Sequence, residues 1–583
     1  MNTKDVSLVI TGPGGEGVIV AGELLLKTAA QMGCYGLLKK SFGPQIRGGE
    51  SSAMLRLSSK SVECLGDVFQ LMLVMDWKII TPFIDELAFN EETLIICDQQ
   101  IDEIPQAITN CQAQVCSLPL TKLAKQQKTK VNMIAVGLLA QLLGLPLAQL
   151  LTITKEQFQH KEESLLDSAI VGIETGYDHH LSVEFPVLSD LDPLKKNDWL
   201  YTGNQLIGLG ALKAGIRFVA AYPITPATDL LEWMAVNLDK VGGRLVQAED
   251  ELSSINMVIG ASYGGVPALT ATSGPGLSLM SEGIGLAITS EIPLLVVDVN
   301  RGGPSTGIPT KFEQSDLNLT LYGVHGDAPH IVTAPIAISD CAFTSGWSVN
   351  LAEQLQCPVI MLSDQFIGHS VVATTKPPFF AHTAQRETAE PDDDYQRYLD
   401  TESGVSPMAV PGTVNGMYTA DGLTHDERGI PSALAAVHQQ QLDKRQRKLL
   451  QYDYGQYWGR IDHSGEVKII CYGSIRAIIL DALKLLTSRG IDVCLITLRL
   501  LAPLPAAQLQ EALTGATHII VIEQNHGGQL FHYLASQLFS YADLTGKLHS
   551  LAKPGPVPFG SVEVAQFIEQ TILSNKQGET DHE

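Results

Sequence analysis

The 583-residue chain is poor in charge, poor in basic residues and without paired cysteines. Charged residues make up 17% of it, against roughly 25% in an average globular chain, which fits surface given over to contacts between domains or subunits. Lys and Arg number 39 against 63 Asp and Glu, for a net charge of −24. Phosphate backbones need clustered cations, so non-specific nucleic-acid binding is excluded. The basic clusters are short: Lys39-Lys40, and the run KRQRK from Lys444 to Lys448, which reads as the solvated face of a helix.

The nine cysteines include no C-x-x-C, and most sit inside apolar runs such as LIICD around Cys97 and IICYG around Cys471. They read as reduced core residues of a cytoplasmic protein, and this chain is expected to hold neither zinc nor an iron–sulfur cluster. The N-terminus, MNTKDVSLVI, has no signal-peptide pattern. No uninterrupted membrane-length run occurs. The most apolar stretch, Val131 to Leu151, is broken by Asn132, Gln141, Pro146 and Gln149, which predicts a buried helix ending near Gly144.

At roughly 100–200 residues per domain the length predicts about three to five domains. Residues 1–185 read as an α/β unit that opens strand, glycine turn, helix, strand; later strands are LMLVMD and TLIICD, and later helices 131–144 and 160–178. EFPVLSDLDPLKKND is a linker. Residues 198–375 alternate strand and helix, which predicts a parallel sheet with crossover helices. Residues 376–465 are an irregular, Pro- and Gly-rich linker followed by a charged helix at 431–452; a loop this long usually wraps another domain or subunit. Residues 466–583 form a small α/β domain with strands VKIICYG, IDVCLITLRL and HIIVIEQN.

Four apolar runs between 218 and 301 end at polar corners: Tyr222-Pro223-Ile224-Thr225, Glu249, Ser273-Gly274 and Arg301. In a parallel sheet these corners lie side by side on the edge where open α/β sheets bind ligands. Arg301 precedes Gly-Gly-Pro-Ser-Thr-Gly, a loop able to aim a guanidinium fork at a carboxylate or phosphate, and Thr310 can return to the same pocket. Asp250 and Glu251 are explained by the dipole of the helix they open. No His–nucleophile pair accompanies these groups, and no G-D-G followed by Asn stands at the spacing that holds magnesium and thiamine diphosphate. The row reads as half of a site.

At the N-terminus Gly12, Gly14 and Gly17 match G-x-G-x-x-G, a turn that can present helix N–H groups to a phosphate. The ribose-binding acid expected about 20 residues on is replaced by Lys39, Lys40 and Ser41, which disfavours NAD and suits a more heavily phosphorylated ligand. A tight strand–helix turn without a ligand is an equal reading. Arg47, between glycines in GPQIRGGE, can clamp an anion or pair with a carboxylate.

YPITPAT, QAEDE, TATSGPG and RGGPSTGIPTKFEQSDL resemble, block for block, the α subunit of 2-oxoacid:ferredoxin oxidoreductases. GPGGEGV with KSFGPQIRGGE is similar to the γ domain of that family, here fused in front, and ICYGS with VIEQNHGG resembles its transketolase-C-terminal-like domain. The resemblance implies a multidomain α/β fold with a γ-type domain (1–185), a pyrimidine-binding domain (198–375) and the C-terminal domain (466–583). It implies thiamine-dependent oxidative decarboxylation of a 2-oxoacid, with the acyl group passed to coenzyme A and electrons to ferredoxin. Thiamine diphosphate with Mg2+ and a [4Fe-4S] cluster would lie on a separate β subunit, in an (αβ)2 heterotetramer. Glu249 would bond N1′ of the aminopyrimidine; Thr225, Arg301 and Thr310 would hold the substrate; Tyr222, Pro223, Ser273 and Gly274 would line the cofactor. Gly12, Gly14, Gly17, Lys40 and Arg47 would meet coenzyme A. The fused arrangement looks most like the 2-oxoglutarate type, with pyruvate and branched-chain 2-oxoacids open. The competing readings are a non-catalytic nucleotide- or acyl-CoA-binding scaffold, disfavoured by intact Glu249 and Arg301, and an NAD oxidoreductase, disfavoured by the lysine corner.

Overall fold

The computed structural model describes residues 2–43, 49–99, 104–181, 183–189, 191–192, 199–538 and 546–580, so Arg47 lies outside the described residues. The chain forms two compact units, one built mainly from residues 1–202 and the other mainly from 203–368 and 378–559.

The first unit carries an eight-stranded sheet. Strands Gln114–Leu118, Leu94–Asp98, Leu71–Val74 and Asp5–Pro13 run parallel in that order. Beyond them Glu50–Ser58, Tyr35–Phe42, Val371–Thr374 and Trp199–Thr202 continue the sheet by antiparallel pairing. The sheet is thus mixed. Tyr35–Phe42 is separated from Asp5–Pro13 by Glu50–Ser58, so the glycine turn does not stand between adjacent parallel strands as it would in a dinucleotide fold. Helix Val131–Leu143 ends on Gly144 at φ 73°, as the sequence predicts. No described helix is long and apolar enough to cross a membrane. Two strands at the ends of the 198–375 segment, Trp199–Thr202 and Val371–Thr374, belong to this first sheet and not to the parallel sheet expected for that segment. They pair with each other along their whole length and extend the edge at Tyr35–Phe42.

The second unit holds a seven-stranded sheet in the order Arg244–Gln247, Phe218–Ala221, Ala268–Thr272, Leu294–Asn300, Pro358–Asp364, Ile331–Thr333 and Leu500–Ala502, parallel except for the last. Strand Leu294–Asn300 is buried at every residue, as expected for a sheet covered by helices on both faces. Helix Gly203–Ala214 approaches helix Cys341–Leu355 so closely that a Cβ on Gly210 would lie 2.1 Å from the Ala342 carbonyl oxygen. The C-terminal segment has its own five-stranded sheet, ordered Gly459–Asp462, Val493–Leu498, Val467–Cys471, His518–Glu523, Leu548–Ala552. The run IDVCLITLRL, read as one strand, splits: Val493–Leu498 stays in this sheet and Leu500–Ala502 joins the larger one. Arg499 stands at the break, its guanidinium on both carboxylate oxygens of Asp340 at 2.8 and 3.2 Å and on the Tyr457 carbonyl at 2.8 Å.

The long irregular segment after 376 packs within this same unit. Arg386 meets Glu353 at 2.8 Å and the Ser262 carbonyl at 2.6 Å, and fully buried Arg397 donates to the Glu291 carbonyl at 2.8 Å. Helix Ala435–Leu450 follows, and here KRQRK departs from expectation. It is not a solvated face: Lys444, Arg445 and Lys448 are all buried. Lys444 Nζ lies 2.6 Å and Lys448 Nζ 2.9 Å from the two carboxylate oxygens of Glu291, which is itself fully enclosed. The reason the pattern misleads is that the partner acid sits 153 residues away, in the corner before strand Leu294–Asn300. Burial alone would raise the Glu291 carboxyl, but Lys444, Lys448 and Arg397 together hold it well below its ordinary value. Burial also draws Lys444 down to about 8, against the pull of Glu291.

Glu291→Gln leaves two buried ammonium groups without a counter-ion, so it should destabilise the second unit by about 3–5 kcal/mol, read as a lowered denaturant midpoint. The folded pKa of Glu291 lies below its ordinary 4.5, so its contribution is complete above that pH and is lost as acid takes the carboxylate through its folded value. The variant should lack that part of the acid slope.

Candidate functional site

The four parallel strands at one end of the second sheet end on a common edge in the order Glu249, Thr225, Ser273, Arg301. The row expected from sequence is therefore formed. Glu249 lies two residues beyond edge strand Arg244–Gln247, exposed, with no hydrogen bond or ion pair among the described residues. Asp250 caps the next helix, accepting the Ser253 N–H at 2.6 Å, which lowers its pKa. Glu251 does more than complement a dipole: its side chain is buried, and a Cβ on Gly276 would come within 2.6 Å of its Oε1.

Tyr222 and Thr225 are exposed at the corner after Phe218–Ala221, with Pro223 half-buried between them. Arg301 is buried at the end of Leu294–Asn300 and reaches across the neighbouring strand end, donating Nη1 to the Thr225 carbonyl at 2.6 Å. Its Nε is buried with no partner. Burial lowers its pKa and Asp316 opposes that. The glycine-rich loop after Arg301 closes on itself: Gly302 donates to the Lys311 carbonyl at 2.9 Å and Ile308 to the Gly302 carbonyl at 2.8 Å. Gly307, at φ 55°, permits this, since a Cβ there would lie 1.8 Å from the Gly302 carbonyl. Thr310 is thereby returned beside the loop base, with Oγ1 buried and unpartnered.

Ser273 is the N-cap of helix Gly274–Thr289 but makes no side-chain cap, and its hydroxyl is buried without a partner. Gly274 is required by Asp316, whose Oδ2 would lie 2.6 Å from a Cβ. Sequence reading missed Asp316 and Asp298. The signal for Asp298 was present: an acid in the middle of the apolar run LLVVDVN. Gln314 is a third omission. It donates to the Tyr472 carbonyl at 2.9 Å, accepts the Gln524 N–H at 3.0 Å, and ties the loop after Arg301 to the C-terminal segment.

In the first unit the glycine motif is largely accounted for by packing. A Cβ on Gly12 would meet Met75 at 2.9 Å, and one on Gly17, at φ 77°, would meet Asn132 Nδ2 at 2.2 Å. The Gly14 N–H is taken by the Gly49 carbonyl at 2.8 Å, and Lys40 Nζ by Glu23 at 2.7 Å. The open side of the turn is at Gly15, at φ 93°, where a Cβ would meet nothing within 4 Å.

The unpartnered Ser273, Arg301 and Thr310 groups, on the same sheet edge as the exposed Glu249, suit the polar aminopyrimidine end of thiamine diphosphate and an anionic substrate. Among the described residues no group of three or more His, Cys, Asp or Glu could hold a metal ion.

Residues 209–444 match the family described as pyruvate flavodoxin/ferredoxin oxidoreductase, thiamine diP-binding. Residues 7–179 match pyruvate ferredoxin/flavodoxin oxidoreductase, and 465–549 core domain II of pyruvate:ferredoxin oxidoreductase. The chain is 36% identical to the 2-oxoglutarate synthase subunit KorA of Methanothermobacter marburgensis, over 58% of this chain and 90% of that one. It is 28% identical to 2-oxoacid:ferredoxin oxidoreductase 2, subunit alpha, of Aeropyrum pernix, over 98% of each. A solved structure of 2-oxoglutarate:ferredoxin oxidoreductase from Magnetococcus marinus, with 2-oxoglutarate, coenzyme A and succinyl-CoA bound, superposes with a TM-score of 0.89 at 34% identity, over 98% of this chain and 100% of that one. With its thiamine-binding domain and its strand-end row of Glu249, Thr225, Ser273 and Arg301, the chain belongs to the 2-oxoacid:ferredoxin oxidoreductase family as an alpha subunit.

Proposed function

We propose that this chain is the α subunit of a 2-oxoglutarate:ferredoxin oxidoreductase, converting 2-oxoglutarate and coenzyme A to succinyl-CoA and CO2 with reduction of ferredoxin. The observation that carries it is Arg301, buried, anchored by one nitrogen on the Thr225 carbonyl and with Nε unpartnered, three strands along the same sheet edge from an unpaired Glu249. The relatives named for 2-oxoglutarate support the choice of substrate. A β subunit would complete the site, supplying the diphosphate and Mg2+ contacts and a [4Fe-4S] cluster, in an (αβ)2 assembly.

Thiamine diphosphate, when bound, supplies the electron sink for decarboxylation. The chain's own groups do the rest. Glu249 would hold a proton at N1′ of the aminopyrimidine, the group's contribution to proton transfer on the cofactor. Tyr222, Pro223, Ser273 and Gly274 would hold the cofactor's ring. Arg301 would hold the substrate carboxylate through N–H groups that the Thr225 carbonyl does not take, with Thr225 and Thr310 hydroxyls fixing the rest of the oxoacid head, so the scissile carboxylate is oriented before reaction. Coenzyme A is the acyl acceptor. Its phosphates could use the open Gly15 side of the Gly12–Gly17 turn, but Lys40 would have to leave Glu23 to join them.

In the reconstituted complex, Glu249→Gln should lower turnover by roughly 10²–10⁴. A rate near wild type would remove Glu249 from the chemistry. Arg301→Ala should chiefly raise the KM for the oxoacid; a change confined to coenzyme A kinetics would refute the carboxylate assignment. Steady-state comparison of 2-oxoglutarate, pyruvate and 2-oxoisovalerate should favour the first in kcat/KM, and preference for either of the others would reassign the substrate.

A further inference from the structure

Two acids stand behind the strand-end row. Asp298 is fully buried in strand Leu294–Asn300, beside Thr272 of the next strand. Neither of its carboxyl oxygens receives an N–H or hydroxyl among the described residues. Asp316 lies against the Ser273-Gly274 corner, where a Cβ on Gly274 would come within 2.6 Å of its Oδ2, while its own N–H donates to Asn300 Oδ1 at 3.0 Å. Asp298 and Asn300 stand two apart on one face of this strand, so Asp316, bonded to Asn300, is the acid on the side of Asp298. Two carboxyl groups can form a hydrogen bond only when one is protonated.

Arg301 and Glu313 act on Asp316, and Tyr472 lies near both acids; Tyr472 in turn is near Asp364 and Glu523. Asp364 and Glu523 have donors of their own: Ile367 N–H at 2.9 Å and Ser474 N–H at 3.4 Å for the first, and Leu530 N–H at 2.8 Å, Phe531 N–H at 2.9 Å and the Asn525 amide at 2.5 Å for the second. Asp298 has none. Arg301 is the cation that faces Asp316.

We propose that Asp298 and Asp316 hold one proton between them, with Asp298 the donor, and act as a single negative charge that positions Arg301 for an anionic substrate. This rests on the reading of Arg301 as the carboxylate clamp. Fully ionised, the pair would set two negative charges behind a site that must admit an anion; the shared proton removes one and leaves the other as counter-charge to the guanidinium. Burial first, then Asp316, pushes the Asp298 carboxyl well above the carboxylate range. Burial, then Glu313, brings Asp316 up to about 6, opposed by Arg301. Because the folded value of Asp298 is raised above its ordinary 3.8, its contribution to stability is greatest below that pH and declines as pH rises through the folded value.

The test is infrared difference spectroscopy on the full chain in its complex at neutral pH, wild type minus Asp298→Asn, in H2O and D2O. The pair predicts a carboxylic-acid C=O band that shifts in D2O and is absent from the variant, together with loss of part of the decline in stability with rising pH. Asp316→Asn should raise the oxoacid KM by about tenfold with a smaller change in kcat, since Arg301 loses the charge that faces it. No acid band in the wild type, or the same band in Asp298→Asn, overturns the shared proton; an unchanged KM in Asp316→Asn overturns the positioning role. If Arg301→Ala leaves the oxoacid KM untouched, the substrate reading fails, and the infrared band still reports on the pair.

Discussion

The structure depends on one constraint: four neighbouring strands of the second sheet run parallel in the order 244–247, 218–221, 268–272, 294–300. Parallel strands need helical crossovers, and the crossovers bring every carboxyl end to one edge. Four corners far apart in sequence thus become a single row. The exposed Glu249 stands at the open end, where the edge strand leaves it room for a partner. Arg301 stands further in, buried and braced by the Thr225 carbonyl. An ionised group on a flexible loop would have its charge diluted by water. At a buried strand end the guanidinium keeps its direction and its field.

Much of this row was legible because its signal is local. Each strand is an apolar run, each corner is polar or glycine-rich, and the alternation with helices dictates parallel pairing. The return of Thr310 was also legible, from the glycines that let the loop fold back. Long-range partners were not. The run Lys444 to Lys448 looks solvated until Glu291, distant in sequence, is placed between its two lysines. The segment expected to run as one domain over 198–375 sends both of its ends, Trp199–Thr202 and Val371–Thr374, to the edge at Tyr35–Phe42. IDVCLITLRL reads as one strand because nothing within it announces that Arg499 is drawn to Asp340. The N-terminal glycines match a phosphate-binding spacing, but Met75 and Asn132 supply a packing reason for Gly12 and Gly17.

Buried charge in the second unit is arranged in two distinct ways. Around Glu291 the cations are in excess and the carboxylate is held ionised, fastening the irregular segment and its helix to the sheet. Behind Arg301 the acids are in excess and burial favours the protonated form. The first arrangement is structural, remote from the strand ends. The second touches the Ser273-Gly274 corner directly, so the protonation of the core and the geometry of the row are one problem.

The central proposal is that Glu249 is the group through which this chain controls a proton on bound thiamine diphosphate. The most direct measurement is the rate at which the cofactor's C2 hydrogen exchanges with solvent in the assembled complex, followed by NMR after acid quench. The account predicts rapid exchange in the wild type and exchange slowed by roughly 10²–10⁴ in Glu249→Gln with the cofactor still bound. Equal exchange rates in the two proteins would contradict it.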